Sequence, residues 1–205
     1  MGERLAVAVL ASGRGSNLRA ILDAARGDFP ARVVLVVSDR DHALALQHAE
    51  RAGVRAVCLD PKGFPDRAAF DAALGDLVDA AGARLVCLAG YMRLLGRAFV
   101  RRFEGRIMNI HPALLPAFPG LHAQRQALDY GVKIAGATVH FVDEGVDTGP
   151  IILQSSVPVL DDDTEEALSN RILVEEHRLY PEAIRLFALA RLTIDGRRVR
   201  IARAS

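Results

Sequence analysis

Cysteine is scarce. Two residues, Cys58 and Cys87, in a chain of 205 are too few for a disulfide framework and too isolated for a zinc site. Each sits in a Val-Cys-Leu run, which reads as a buried thiol acting as a small hydrophobe. Neither charge is in excess: Lys plus Arg total 26 and Asp plus Glu 25, a net charge of +1. A dedicated nucleic-acid binder shows a large basic excess, so no nucleic-acid partner is expected. No stretch approaches the roughly 18 consecutive apolar residues of a membrane-spanning helix. The first apolar run, Leu5–Ala11, is too short for a secretory signal and leads straight into a glycine turn. The expectation is a cytoplasmic protein with no membrane partner. The low apolar content of a disordered chain is also missing, since hydrophobic residues make up 51% of the total. No repeat, low-complexity tract or linker interrupts the sequence. One domain spanning residues 1–205 is expected, at about 100–200 residues per domain.

What is present is an alternation of apolar runs with amphipathic stretches. Leu5–Ala11, Val33–Ser38, Ala56–Leu59, Leu85–Ala89 and Ile107–Ile110 read as short buried strands. Asn17–Arg26, Ala43–Ala52, Arg67–Ala81 and Gly96–Phe103 read as the helices between them. Strands separated in this way point to βαβ units around a parallel sheet. The runs are continuously apolar, as in strands covered on both faces. After His111 the pattern changes. HPALLPAFPGLH carries Pro112, Pro116 and Pro119. Proline lacks the ladder donor and fixes φ, so this stretch is neither regular helix nor central strand. Ala123–Tyr130 reads as a short helix. Ala137–Val142 and Ile151–Val157 read as an antiparallel pair joined through DEGVDTGP. Thr164 is placed to cap a long helix to about Leu189, with Glu165 and Glu166 in its first turn. The tail, LTIDGRRVRIARAS, reads as a hairpin about Asp195-Gly196 with a basic end.

Two groups of residues carry possible chemistry. ASGRGSN, residues 11–17, follows the first strand and opens the first helix. Backbone N–H groups in such a loop converge on an anion, aided by the helix dipole, and Ser16 or Asn17 can add donors. A tight strand-to-helix turn with no ligand has the same local signature. The loop is not a Walker A motif, and the dinucleotide fingerprint lacks its third glycine, where Leu18 stands. Asp39, after the second strand, stands where a ribose-binding acid would. An NAD reading and a phosphate-monoester reading are both open. The second group is Asn109, His111 and Asp147. Asn109 and His111 are two apart, so in extended chain they project to one side. They lie at the C-terminal end of a strand, where open α/β sheets place ligands. Histidine carries protons near neutral pH, asparagine can donate to an oxyanion, and Asp147 is a candidate partner for His111. Singly, these are also an ordinary cap, a core histidine and a loop acid.

The surroundings of these residues resemble one family. MNIHPALLPAFPGLHAQRQAL followed by GATVHFVDEGVDTGPIILQ is similar to the phosphoribosylglycinamide formyltransferases, folate-dependent enzymes of purine biosynthesis. ASGRGSNL, LAGYMRLL at 88–95 and EEHRLYPEAI at 175–184 fit the same family, and the resemblance runs from Val7 to about Leu192. N-I-H-P with L-L-P is shared with the wider 10-formyltetrahydrofolate transferases. The G-x-G-S-N loop and the E-H-x-L-Y-P segment point to the glycinamide ribonucleotide enzymes. The resemblance implies a single-domain, Rossmann-like formyltransferase α/β fold. Its mostly parallel central sheet would carry helices on both faces and an antiparallel C-terminal portion. It implies phosphate binding in about 1–105, folate binding and catalysis in about 106–192, and a short basic tail at 193–205.

The resemblance also implies residue roles. Asn109, His111 and Asp147 match the catalytic trio. Gly15, Ser16 and Asn17 match the loop holding the substrate's phosphate, and Glu176 a contact to its ribose. Met92, Arg93, Leu94 and Leu95, with Asn109, match the folate pocket, and Arg67 a basic residue of the folate site. The loop Val142–Asp147 matches one that closes over the pterin. The implied substrates are glycinamide ribonucleotide and, as co-substrate, 10-formyltetrahydrofolate, with no metal, in a monomer or homodimer. Arg14 replaces an Asn of some relatives, Thr138 replaces a Ser, and Asp143-Glu144-Gly145 differs from other members. None of these departures touches the trio.

On this reading Asn109 donates to the oxyanion formed when the amine attacks the formyl carbon. His111 relays protons from the amine to N10, and Asp147 orients His111. His140 and His122 are rival histidines. His140, on an apolar strand, reads as structural, and His122 as a helix start or a support. Methionyl-tRNA formyltransferase needs an additional C-terminal domain and formyltetrahydrofolate hydrolase an N-terminal regulatory one, for which 205 residues leave little room. A non-catalytic nucleotide- or NAD-binding domain does not account for the N-x-H…D cluster.

Overall fold

The structure, a computed structural model, describes residues 3–203; Met1, Gly2, Ala204 and Ser205, the last two ending the basic tail, lie outside the described residues. Nine described strands form one sheet: β1 (Leu5–Leu10), β2 (Ala31–Ser38), β3 (Arg55–Cys58), β4 (Leu85–Leu88), β5 (Ile107–His111), β6 (Ile134–Phe141), β7 (Ile151–Pro158), β8 (Leu192–Asp195) and β9 (Arg198–Ile201). Their spatial order is β3-β2-β1-β4-β5-β6-β7-β9-β8. β3 to β5 are parallel. β6 then runs antiparallel to β5, and β7 antiparallel to β6. The tail hairpin, β8–β9, joins the sheet through β9 beside β7. The helices are α1 (Ser16–Ala24), α2 (Leu44–Arg51), α3 (Arg67–Ala80), α4 (Arg97–Arg102), α5 (Ala123–Tyr130) and α6 (Glu165–Ala188).

Helices cover both faces because the apolar strands alternate between two cores. Val7 and Val9 of β1 pack with Leu18 and Ile21 of α1 and with Leu168, Ile172 and Ile184 of α6. Ala8 and Leu10 of the same strand pack with Phe70 and Leu74 of α3 and Phe99 of α4. Each such large apolar side chain contributes roughly 1.5–3 kcal/mol by burial. Thr164 caps α6 by accepting the Ala167 N–H at 3.1 Å. The Tyr180 hydroxyl, fully buried, lies 3.1 Å from Leu88 O and 2.9 Å from Met108 O. It fastens α6 beneath the last residue of β4 and the first half of β5. Beside it, burial pushes the Cys87 thiol up to about 12.

Three expectations change. Cys58 is exposed, not buried: it ends β3, the edge strand of the sheet. The run Ala56–Leu59 is accordingly only part-covered rather than buried. β6 begins at Ile134 rather than Ala137, because its pairing with β7 continues through Gly136 and Ala135 to Ile134 opposite Pro158. Within that extension a Cβ on Gly136 would stand 2.0 Å from Ser155 O, so the β6–β7 pairing leaves no space for a side chain there.

Candidate active site

The chain enters the sheet at β1, moves outward to β2 and β3, and crosses back to β4 on the other side of β1. The loops after β1 and β4 therefore diverge around a crevice, the usual place for ligands in such sheets. The two loops are joined: Ser12 N donates to Gly90 O at 3.1 Å, and Met92 N donates to Ser12 Oγ at 2.9 Å. Gly15 precedes α1 with φ 73°, and a Cβ on it would lie 2.8 Å from Ala45 Cα. Left-handed backbone and lack of room both require glycine here. No described side chain caps α1, so its first N–H groups have no intrahelical acceptor and stand ready for an anion.

α6 crosses behind this loop. Asn17 is buried and donates Nδ2 to Glu176 Oε2 at 2.7 Å. Its amide nitrogen is thus turned to α6, and its Oδ1 has no partner among the described residues. Burial holds the Glu176 carboxyl above its usual range, against the opposing bond from Asn17. Acceptor oxygens beside an anion loop suit the hydroxyls of a sugar. Arg14 is exposed, and Asp39 is half-buried at the end of β2.

The second half of the site lies on the face of β5 and β6 that α3 and α4 line elsewhere in the sheet. Antiparallel register sets Asn109 opposite His140 and His111 opposite Thr138, so all four share that face. His111 is 4% exposed. Its Nε2 lies 2.8 Å from Phe118 O and its Nδ1 3.3 Å from Asp147 Oδ2. Both ring nitrogens face acceptors, so both bonds form only when each carries a proton. Asp147 reaches this point through left-handed backbone, φ 53°. It accepts the Gly120 N–H on Oδ2 at 2.8 Å and lies 3.4 Å from Asn109 Nδ2 through Oδ1. Burial opposes its ionisation, but its hydrogen-bond donors, the Gly120 N–H among them, and the charge of His111 outweigh it and hold the carboxyl below the usual carboxylate range. Thr138 Oγ1 donates to Ala113 O at 2.6 Å and accepts the Leu115 N–H at 3.1 Å, which ties the proline-rich segment under the site.

Around this cluster, Met92 and Leu94 are 57% and 63% exposed. Arg93 lies over the Phe70 ring at 4.9 Å, and Leu95 packs on the core. Arg67 stands 3.6 Å from Asp71 and borders a cavity of about 380 Å³ between α3 and α4. The loop Val142–Asp147 is tethered from outside, Glu144 pairing with Arg97 at 3.2 Å and Arg101 at 2.7 Å. His122 precedes α5 with φ 58° and makes no capping side-chain bond. His140, in contrast, stands within the cluster, 3.2 Å from Asn109 Nδ2 and 3.6 Å from Asp147 Oδ1. The sequence offers His140 only as a rival histidine with a structural role, and it does not single out the Phe118 carbonyl or the Gly120 N–H. Only the strand register could have pointed to His140. Among the described residues, no three His, Cys, Asp or Glu side chains are grouped to hold a metal ion, and no helix is long and apolar enough to cross a membrane.

Comparison with known proteins gives a consistent result. Residues 5–184 match the formyl transferase family. The phosphoribosylglycinamide formyltransferase of Mycobacterium tuberculosis is 52% identical over 189 residues, covering 92% of this chain and 87% of that protein. The trifunctional purine biosynthetic protein adenosine-3 of Drosophila melanogaster is 51% identical over 184 residues, covering 88% of this chain. The chain spans only 14% of the length of that larger relative. Among solved structures, glycinamide ribonucleotide transformylase 1 from Symbiobacterium toebii superposes with a TM-score of 0.96 at 61% identity, covering 98% of this chain and 95% of that one.

Proposed function

The chain belongs to the formyl transferase family, among its phosphoribosylglycinamide formyltransferases, and on that premise we propose that it moves the formyl group of 10-formyltetrahydrofolate to the amine of glycinamide ribonucleotide. The products are formylglycinamide ribonucleotide and tetrahydrofolate, in a step of purine synthesis carried out in the cytoplasm. The observation that carries the reading is the polar cluster of Asn109, His111 and Asp147 beside an anion-receiving loop.

The amine nitrogen attacks the formyl carbon, and the carbonyl oxygen takes the charge. The carbon–N10 bond then breaks, and the proton lost by the amine goes to N10. Asn109 faces the reaction with an amide N–H, and such a donor is worth about 100- to 1000-fold in rate in other enzymes. His111 carries the proton, a role worth about 100- to 10,000-fold. Asp147 accepts from Nδ1 of His111 and fixes the ring, so that Nε2 is the nitrogen that exchanges. In the first half of the chain, Gly15, Ser16 and Asn17 take the phosphate through backbone N–H groups. Asn17 Oδ1 and Glu176 accept from the ribose. Met92 and Leu94 offer apolar surface to a flat ring system, Arg93 and Leu95 flank it, and Arg67 meets its acidic end. The loop Val142–Asp147 covers the pterin, with Asp147 at its catalytic end.

The test is a spectroscopic assay of deformylation of 10-formyltetrahydrofolate, with and without glycinamide ribonucleotide. Turnover that requires the ribonucleotide and disappears in His111→Ala is expected. Turnover without the ribonucleotide would indicate a hydrolase. A folded protein with no turnover would leave a binding domain and refute the proposal.

A further inference from the structure

Asn109 can serve an oxyanion only if its amide nitrogen, not its oxygen, faces the reaction. A side-chain amide has two orientations of nearly the same shape, so something must choose between them. The surroundings of His140 make that choice. His140 is 2% exposed and sits where the β6–β7 ladder slips register, between Val139 and His140. Such irregularities re-aim a side chain. Its Nδ1 lies 2.8 Å from Phe141 O. A carbonyl only accepts, so Nδ1 carries the ring proton. Nε2 is then a bare lone pair, and it lies 3.2 Å from Asn109 Nδ2.

His111 differs from His140 in a way that supports this assignment. Both nitrogens of His111 face acceptors, whereas His140 Nδ1 faces an acceptor and its Nε2 lies nearer a donor, Asn109 Nδ2 at 3.2 Å, than an acceptor, Asp147 Oδ1 at 3.6 Å. Asp147 is the carboxylate in reach of both rings, at 3.3 Å from His111 and 3.6 Å from His140. One carboxylate balances one buried imidazolium; a second would be left uncompensated. His140 is therefore the neutral ring. With the amide reversed, Asn109 Oδ1 would stand against the lone pair of His140 Nε2 and against Asp147 Oδ1. Both neighbours reject that orientation.

We propose that His140 is a positioning residue: its bare Nε2 accepts one N–H of Asn109 and so keeps the other N–H turned to the developing oxyanion. This rests on the oxyanion role of Asn109 put forward above. It replaces the purely structural role that the apolar strand around His140 indicated.

Two substitutions separate the two faces of the ring. His140→Asn keeps a donor near Nδ1, for Phe141 O, and removes the acceptor at Nε2. His140→Gln places an amide oxygen near Nε2 and restores an acceptor. His140→Asn is expected to lower kcat about tenfold, with both KM values within about twofold of wild type. His140→Gln is expected to recover most of that loss. In an Asn109→Ala background, His140→Asn is expected to cost nothing further, as for two residues acting as one unit.

Equal losses in the Asn and Gln variants, or an undiminished loss in the Asn109→Ala background, would overturn the proposal. So would unchanged kcat in His140→Asn while Asn109→Ala is impaired. If Asn109→Ala itself keeps its kcat, the oxyanion reading falls first and the positioning role with it. The unmodified protein gives an independent check: nitrogen-15 NMR of the histidine rings should show His140 protonated at Nδ1 alone. A proton on its Nε2 would overturn the assignment.

Discussion

Replacing Asp147 by Asn tests the charge at the centre of the cluster while keeping its shape. The carboxylate oxygen lies 3.3 Å from His111 Nδ1. At an effective dielectric of about 20, opposite charges at that distance attract by roughly 5 kcal/mol. Part of this is offset by desolvation of two buried groups. The replacement's amide oxygen can still accept the Gly120 N–H. What is lost is a charge-assisted bond, worth about 1.5–3 kcal/mol. At about 1.4 kcal/mol per decade, a loss of that size in the transition state lowers kcat about 10- to 150-fold. The assay is saturating formyl transfer at neutral pH, with circular dichroism to show that the fold is intact. A folded Asp147→Asn variant with kcat within about threefold of wild type would refute the charge argument.

The same residue predicts acid behaviour with a definite sign. The folded protein holds Asp147 below the usual value of 3.8. A depressed acid contributes stability above its unfolded pKa and loses it as pH falls through its folded pKa. The Tm advantage of wild type over Asp147→Asn should therefore shrink between about pH 5 and about pH 3; a constant difference would contradict the shift.

Glu176 carries the opposite shift, so its stability contribution is present at low pH and lost as pH rises through the raised folded value. Glu176→Gln should raise Tm by about 2–4 °C at pH 8 for about 1 kcal/mol of relief, while KM for the ribonucleotide rises about tenfold; a lower Tm or an unchanged KM would count against the assignment. Gly15→Ala meets both a φ of 73° and a contact of 2.8 Å with Ala45, so it should cost at least about 2 kcal/mol and lower Tm by about 4–8 °C in calorimetry. Tyr180→Phe leaves the Leu88 and Met108 carbonyls without their buried donor. It should cost about 1–2 kcal/mol in urea unfolding without changing KM for either substrate.

What could be read from the sequence followed the periodicity of burial. β1, β4 and β5 announced themselves because both faces of each strand are apolar or site-forming, and the helices between them carry one apolar stripe each. The edge was harder. Val-Cys-Leu around Cys58 looks the same in sequence as Val-Cys-Leu around Cys87, yet one strand ends a sheet and the other lies in its middle. Local sequence does not encode strand order. Asn109 and His111 were legible because they are neighbours on one strand. Asp147 stood out only as a candidate partner for His111 from a distant loop, and the resemblance supplied its catalytic role. The pairing of His140 with Asn109 depends on a register between residues 31 apart, which no window along the chain contains.

The polar face of β5 and β6 is itself a constraint on mechanism. A buried polar group left unpaired costs about 1–3 kcal/mol, so a face carrying Asn109, His111, Thr138 and His140 must be almost fully bonded before any substrate arrives. Its bonds are not equal. His111 Nε2 to Phe118 O is 2.8 Å, Gly120 N to Asp147 is 2.8 Å, and Asn109 to His140 is 3.2 Å. The contact from Asn109 to Asp147, at 3.4 Å, is the longest hydrogen bond in the cluster. On the mechanism proposed above, an incoming oxyanion would take that N–H at the smallest cost, since it would displace the weakest bond and leave His140 holding the other. Exchange at His111 Nε2 must instead displace the shorter bond to Phe118, a residue held at φ 52°. On that proposal the charge-stabilising half of the site is ready before binding, while the proton-transferring half requires the segment around Phe118 to yield. Substitutions in that segment should therefore act on proton transfer, appearing in kcat and its solvent deuterium isotope effect, before they act on the Asn109 donor.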